Sequence, residues 1–422
     1  MTTAEDQLAA TVRVEGARIL ATLIRTVGFQ LAEDAVQEAV LAALTTWPRT
    51  GVPDNPRAWL NLAARHKAID LLRRERARGD KEREGSELVD LSRPDPPPDT
   101  AIRDDQLRLI FTCCHPTLAA EAQVTLALRT LCGLSIPQIS SVLLTSEAAV
   151  SKRLTRTRQK IALAQIPYRV PTDAELPSRM GTACSVVHAL YTLGHTPTSG
   201  ESAVDVTACV EAIRLARLLH DLLPDEALPA GLLALLLLTQ ARRPARLSPA
   251  GELVLLADQD RRLWDAGMIA EGAELLAASL RRTRAVADPY QLQAAVAVEH
   301  ARSASYRSTD WSEVVRLYDL LVSVAPSPAA ELNRAVAVAE LSGPGAGLTA
   351  LERCPASPRW HAVRAELLAR RGDLAAAVVA VTASLEGQMT DPERRFRTAR
   401  LAEWAVRAGA GSEITTAPVR QQ

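Results

Sequence analysis

Apolar residues recur at three- and four-residue spacings along most of this 422-residue chain, and the breaks between such runs fall at Pro and Gly. That period sets one stripe of a helix against a core. The β-branched and aromatic clusters that a sheet would need are scarce. Aromatics are 3% of the residues, while Ala, Leu and Arg dominate. The pattern predicts an all-α fold, and the length predicts roughly two to four domains.

The most informative stretch is Leu134 to Ile161, LSIPQISSVLLTSEAAVSKRLTRTRQKI. It reads as two helices joined by a tight turn. Ser135 is an N-cap with Pro137 inside the first turn, where a missing N–H costs little. Ile139, Val142 and Leu143 form the inner face, Leu144-Thr145 makes the turn, and Ser146 caps the second helix. Val150, Leu154, Thr157 and Ile161 then share one buried stripe. The other side carries Lys152, Arg153, Arg156, Arg158 and Lys160, with no acid between Ala148 and Pro171. A one-signed face points to a polyanion, although many basic helix faces are only solvated. In a helix-turn-helix the second helix can enter a major groove, its N-terminal residues at base edges.

Toward the N-terminus, Val12–Thr26 and LAEDAVQEAVLAAL read as two amphipathic helices. In the second, Val36, Val40 and Leu44 are expected to face the core, leaving Glu33, Asp34, Gln37 and Glu38 outside. Those acids either offset a helix dipole or form a docking surface, and composition does not separate the two. Thr45–Pro56 reads as a loop carrying Trp47. A long basic helix follows, NPRAWLNLAARHKAIDLLRRERAR, with Trp59, Leu62, Ala63, Ile69 and Leu72 inward. Arg65, Lys67, Arg73, Arg74, Arg76 and Arg78 lie mostly outside. Basic groups neutralise phosphates, and an exposed ring can stack on an unpaired base, so this region suits single-stranded DNA. Trp47 can equally be a core residue.

In order and at matching spacing, Val12 to Ala164 resembles bacterial RNA polymerase sigma factors of the extracytoplasmic-function class. LAEDAVQEAVLAAL resembles that family's core-polymerase-binding helix. NPRAWLNLAARHKAIDLLRRERAR resembles its −10 helix, and Gly133–Ile161 its −35 reader. The resemblance implies that Glu33, Asp34, Gln37 and Glu38 meet the clamp helices of core RNA polymerase. It assigns Trp47, Asn55, Arg57, Arg65, Lys67, Arg73 and Arg74 to single-stranded −10 promoter DNA, the Trp47–Pro56 loop holding a flipped base. It assigns Ser146, Glu147, Ser151, Lys152, Arg153 and Arg156 to the −35 duplex. Leu144 stands where family members often have Gly, and Glu147 can accept from cytosine N4.

Arg78–Asp99 mixes charges and then runs into RPDPPPD, which cannot pack. Ile102–Leu131 is expected to underlie the helix-turn-helix through Leu107, Ile110, Phe111, Val124, Leu126 and Leu128. Its segment FTCCHPTLAAEAQ resembles a sequence recurrent in a long subgroup of the class. The connector IPYRVPTDAELPSR leads to helices over Val186–Leu193, Ala203–Leu223 and Leu228–Ala241. LVLLADQDRRLWD also resembles a stretch of the long members, whereas YTLGHTPTSGE replaces their Asn-Glu-Gly-Tyr-like run. Beyond Asp288 a weak repeat of roughly 30–34 residues approaches the tetratricopeptide period, which builds a groove able to hold a peptide or partner helix. A closed helical bundle is the plainer alternative.

The expected organisation is therefore 1–80 for the polymerase and −10 module, 81–101 linker, and 102–165 for the −35 module. The extension follows over 166–287, with repeats over 288–410 and a tail over 411–422. Lys and Arg total 49, as do Asp and Glu, so the basic faces are local. No signal peptide is visible, and the apolar run near Gly231–Thr239 falls short of the roughly 18 residues that span a bilayer. A cytoplasmic protein with no membrane partner is expected. Cys113-Cys114-His115 and Cys132 lack metal-ligand spacing, so buried thiols are the default. No Walker, GxGxxG, GxSxG or HExxH motif occurs, and no cofactor, metal or catalytic residue is expected. The rival reading is a helix-turn-helix regulator whose repeats sense a ligand.

Overall fold

The computed structural model describes residues 4–79, 105–131, 133–143, 145–164, 166, 171–172, 174–197 and 199–415. The linker expected over 81–101, together with Cys132, Leu144 and residues 416–422 of the tail, lies outside the described residues. The chain is all-α and divides into two compact units, Met1–Leu190 and Tyr191–Gln422.

In the first unit α1 (Ala4–Val27), α2 (Phe29–Thr50) and α3 (Pro56–Gly79) pack on one another. The core face of α2 is Ala32, Ala35, Ala39, Ala43 and Trp47, and that of α3 is Leu60, Ala64 and Ala68. Both differ from the stripes expected from side-chain size. Val36 and Val40 are half-buried, while Leu44 and Leu62 are exposed. Alanines at a crossing let helix axes approach more closely than valines do, and the small-residue stripe takes the core. The loop expected over Thr45–Pro56 is also corrected. Helix α2 continues through Pro48 and stops at Gly51, whose φ of 84° suits glycine. Pro48 lies in the last turn, where it removes a single backbone hydrogen bond.

Next come α4 (Asp105–Cys113), α5 (Ala120–Thr130), α6 (Ile136–Val142), α7 (Glu147–Leu163) and α8 (Leu176–His195). Leu107, Ile110, Phe111, Leu126 and Leu128 are buried as the sequence indicated, and Val124 is partly so. Val150, Leu154, Thr157 and Ile161 form the buried stripe of α7. Cys113 and Cys114 are buried, and burial pushes the Cys113 thiol up to about 12 beside Thr130 Oγ1 at 3.4 Å.

In the second unit α9 (Val206–Leu222), α11 (Ala266–Arg282) and α12 (Pro289–Arg302) surround the apolar α10 (Ala227–Gln240), which is buried on nearly every side. Short 3-10 turns at Arg243–Ala245, Leu256–Asp258 and Arg261–Leu263 join α10 to α11. From there α13 (Trp311–Val324), α14 (Pro328–Ser342), α15 (Pro344–Leu351), α16 (Pro358–Arg371), α17 (Leu374–Ser384) and α18 (Asp391–Thr415) each pack on the preceding helix. This is the tetratricopeptide-like arrangement that the repeat period indicated. Its helices start on polar caps: Asp288, Asp310, Ser327, Ser357 and Asp373 each accept a first-turn N–H. At the crossing of α14 and α15, a Cβ on Gly347 would lie 2.4 Å from Ala339 Cβ and 3.1 Å from the Ala335 carbonyl. Gly347→Ala is therefore expected to cost about 1–3 kcal/mol, read as a lower thermal midpoint. An unchanged midpoint would mean that the helices can part without loss. Among the described residues no helix is long and apolar enough to cross a membrane.

Candidate polymerase- and DNA-binding surfaces

The helix-turn-helix is held by short local bonds. The Ser140 hydroxyl donates to the Thr145 carbonyl at 2.8 Å, and Thr145 N–H donates to the Ser140 carbonyl at 3.0 Å. The Ser146 hydroxyl oxygen caps α7 by accepting from Ala149 N–H at 3.2 Å. With the apolar stripe turned inward, Ser146, Glu147, Ser151, Lys152 and Arg156 are exposed together. Arg153 departs from that set. Its guanidinium turns back to α5, donating to Glu121 at 2.7 Å and Thr125 at 3.2 Å.

On α3, Arg65, Arg73 and Arg74 are exposed. Lys67 pairs with Glu38 of α2 at 3.2 Å, and Arg57 with the buried Glu15 of α1 at 3.1 Å. Asn55 is the N-cap of α3, its Oδ1 accepting from Ala58 N–H at 3.0 Å. Trp47 is different. It is 1% exposed, with its ring edge-on to Trp59 at 5.6 Å between centroids. A ring so enclosed does not stack on a base, so Trp47 is corrected from a DNA-facing residue to a core residue.

The acidic helix divides in the same way. Asp34 and Gln37 are exposed and Glu38 half-buried, but Glu33 is only 7% exposed. Its carboxylate accepts from Arg158 of α7, and Arg129 of α5 lies 3.9 Å away. Glu33 is thus corrected from a docking residue to the centre of a half-buried ion-pair cluster. Leu41, unassigned from the sequence, and Leu44, expected to face the core, are 61% and 42% exposed. They continue the side of α2 that Asp34 and Gln37 begin, at spacings of three and four. The alanines at spacings of three and four on the opposite side, Ala32, Ala35, Ala39 and Ala43, were the signal. Among the described residues no cluster of His, Cys, Asp or Glu could hold a metal ion.

Residues 17–78 match Sigma-70 region 2 and residues 108–161 match Sigma-70 region 4. Residues 179–280 match a family of unknown function (DUF6596). An uncharacterized protein of Rhizobium meliloti (strain 1021) is 41% identical over 357 residues, covering 81% of this chain and 82% of that protein. The crystal structure of yeast Tom70 aligns over 98% of this chain and 89% of its own, with 10% identity and a TM-score of 0.37. Regions 2 and 4 are the parts of a sigma factor that engage core RNA polymerase and promoter DNA, and that family is made of transcription factors without catalysis of their own. The chain belongs to the sigma-70 family, as an extracytoplasmic-function-like member with a long C-terminal extension.

Proposed function

We propose that this sigma factor works in the cytoplasm and docks on core RNA polymerase through Asp34, Gln37 and Glu38, with Leu41 and Leu44 supplying the apolar part of the contact. Arg65, Lys67, Arg73 and Arg74, with Asn55 and Arg57 at the start of α3, handle the −10 strand. Ser146, Glu147, Ser151, Lys152 and Arg156 read the −35 duplex, and Arg153 orients α7 from behind. The observation that carries this reading is the exposed side of α7, where Lys152, Arg156 and Lys160 face solvent with Glu147 as the lone acid. Such a face gains from phosphate neutralisation and counterion release. The extension regulates initiation, and its repeats hold a peptide or protein partner.

Run-off transcription by purified core polymerase, on promoters selected from a random pool, tests the reading. Transcription should depend on the added chain. Specific duplex binding without core-dependent initiation would instead establish a conventional regulator. A chain ending at His195 keeps α8 whole, and a transcript yield equal to that of the full chain would remove the regulatory role. Lys152→Ala should weaken −35 binding across sequences and lower the salt slope by about one unit. An unchanged slope would take Lys152 out of the interface.

A further inference from the structure

Two stretches singled out in the sequence, YTLGHTPTSGE and LVLLADQDRRLWD, have no role in the polymerase or promoter surfaces. In the second unit they face one cluster. The Arg242 and Arg261 guanidiniums lie over the ring of the buried Trp264, with Cζ at 5.8 and 4.7 Å from its centroid. Arg246 donates to the His195 carbonyl at 2.8 Å and lies 3.0 Å from His195 Nδ1. Tyr191 stacks on that imidazole at 5.4 Å.

Several nitrogens of the cluster lack partners, as does the Gln259 Oε1 acceptor nearby in the sequence. Arg242 Nε, Arg261 Nη2, Trp264 Nε1 and His300 Nδ1 are all closed from solvent without a hydrogen-bond partner. The other end of Arg261 is fixed, donating to the carbonyls of His300 and of Ser303, the latter at 2.8 Å. No described carboxylate pairs with Arg242, Arg246 or Arg261. The neighbouring acids Asp260 and Glu299 are taken by Arg262 at 2.7 Å and Arg302 at 2.5 Å. Burial pulls Arg242 below the usual guanidinium range, and Arg261 adds to the effect. Burial, then Arg242 and Arg261, pushes His300 down to about 3. Burial, then Arg246, Arg242 and Arg359, does the same to His195. Both imidazoles are therefore neutral, and the positive charge sits on the arginines.

Burying like charges together without a counter-charge is costly, and proteins keep such arrangements where a ligand supplies the missing sign. Arg242 is enclosed, and Arg261, which is part-exposed, forms the side of the cluster nearest solvent. Planar guanidiniums arriving from separate turns, beside an indole N–H, match the several oxygens of a compact multiply charged anion. We propose that Arg242 and Arg261 over Trp264, together with Arg246 beside His195, form a binding site for phosphate or for the phosphoryl group of a small molecule. Occupancy ties the 3-10 turns after α10 to the end of α12, within the region that leads into the repeats.

The site is tested without polymerase, so its failure leaves the promoter reading untouched and the reverse also holds. The full chain is titrated with inorganic phosphate by calorimetry, and its thermal midpoint is followed in phosphate against chloride at equal ionic strength. We expect saturable binding, one phosphate per chain, with a midpoint that climbs with phosphate. Arg242→Met and Arg261→Met should each weaken binding at least tenfold. Arg242→Lys should retain part of it, and Arg262→Ala, which removes an exposed neighbour, should change nothing. Competition between inorganic phosphate and glycerol phosphate tells a free ion from a phosphorylated metabolite. A phosphate response no larger than that to chloride overturns the site. So does an Arg242→Met chain that folds, gains stability and responds to phosphate as the parent does, because the cluster is then purely structural.

Discussion

Trp47→Ala is expected to destabilise the α1–α3 bundle by about 3–5 kcal/mol, a large share of what a small helical module possesses. The side chain is among the largest fully buried ones, and Trp59 packs on its edge. Truncation would leave a cavity at the end of α2, just where Pro48 and Gly51 already weaken the helix. Denaturant unfolding followed by Trp fluorescence would measure the loss, and Trp47→Phe should recover most of it. The indole N–H has no partner, so phenylalanine forfeits little beyond volume. Arg74→Ala, on the exposed side of α3, should leave the midpoint alone while lowering −10 affinity. Unaltered stability in Trp47→Ala, combined with failed promoter melting, would return Trp47 to the DNA.

Glu33→Ala should be the second costly change, at about 2–3 kcal/mol. Breaking a buried pair costs about 3–5 kcal/mol when the abandoned charge stays buried. Here Arg158 and Arg129 retain 27% and 28% side-chain exposure, so solvent takes up part of the loss. The cluster joins α2 to α5 and α7, and its rupture should raise amide exchange in the helix-turn-helix as well as lower the midpoint. Asp34→Ala, one residue on but exposed, should weaken polymerase binding without either effect. Equal polymerase losses in both variants, with native stability in each, would put Glu33 back on the docking face.

Local chemistry was the legible part. Ser146 caps α7 as expected, because a cap involves residues three apart and no distant element. The stripe from Val150 to Ile161 followed from spacing alone. The acidic helix was harder. A 3.6-residue period names which residues share a face, but the choice between the Val36 face and the Ala35 face rests on how closely α1 and α3 approach. Glu33 was misplaced for the same reason: its partners Arg129 and Arg158 lie far along the chain. Trp47 stood in a run rich in turn residues, and one proline near a helix end does not end it. The Arg–Trp cluster was invisible because its members come from four segments between Tyr191 and His300, none with a motif of its own.

The serial packing from α13 to α18 has an evolutionary consequence. Each helix leans on the one before it, so a helix pair can be duplicated or trimmed at the far end while the earlier layers keep their contacts. Length then becomes an adjustable trait: a lineage can extend or shorten the helical stack without disturbing the packing of the layers that come before it.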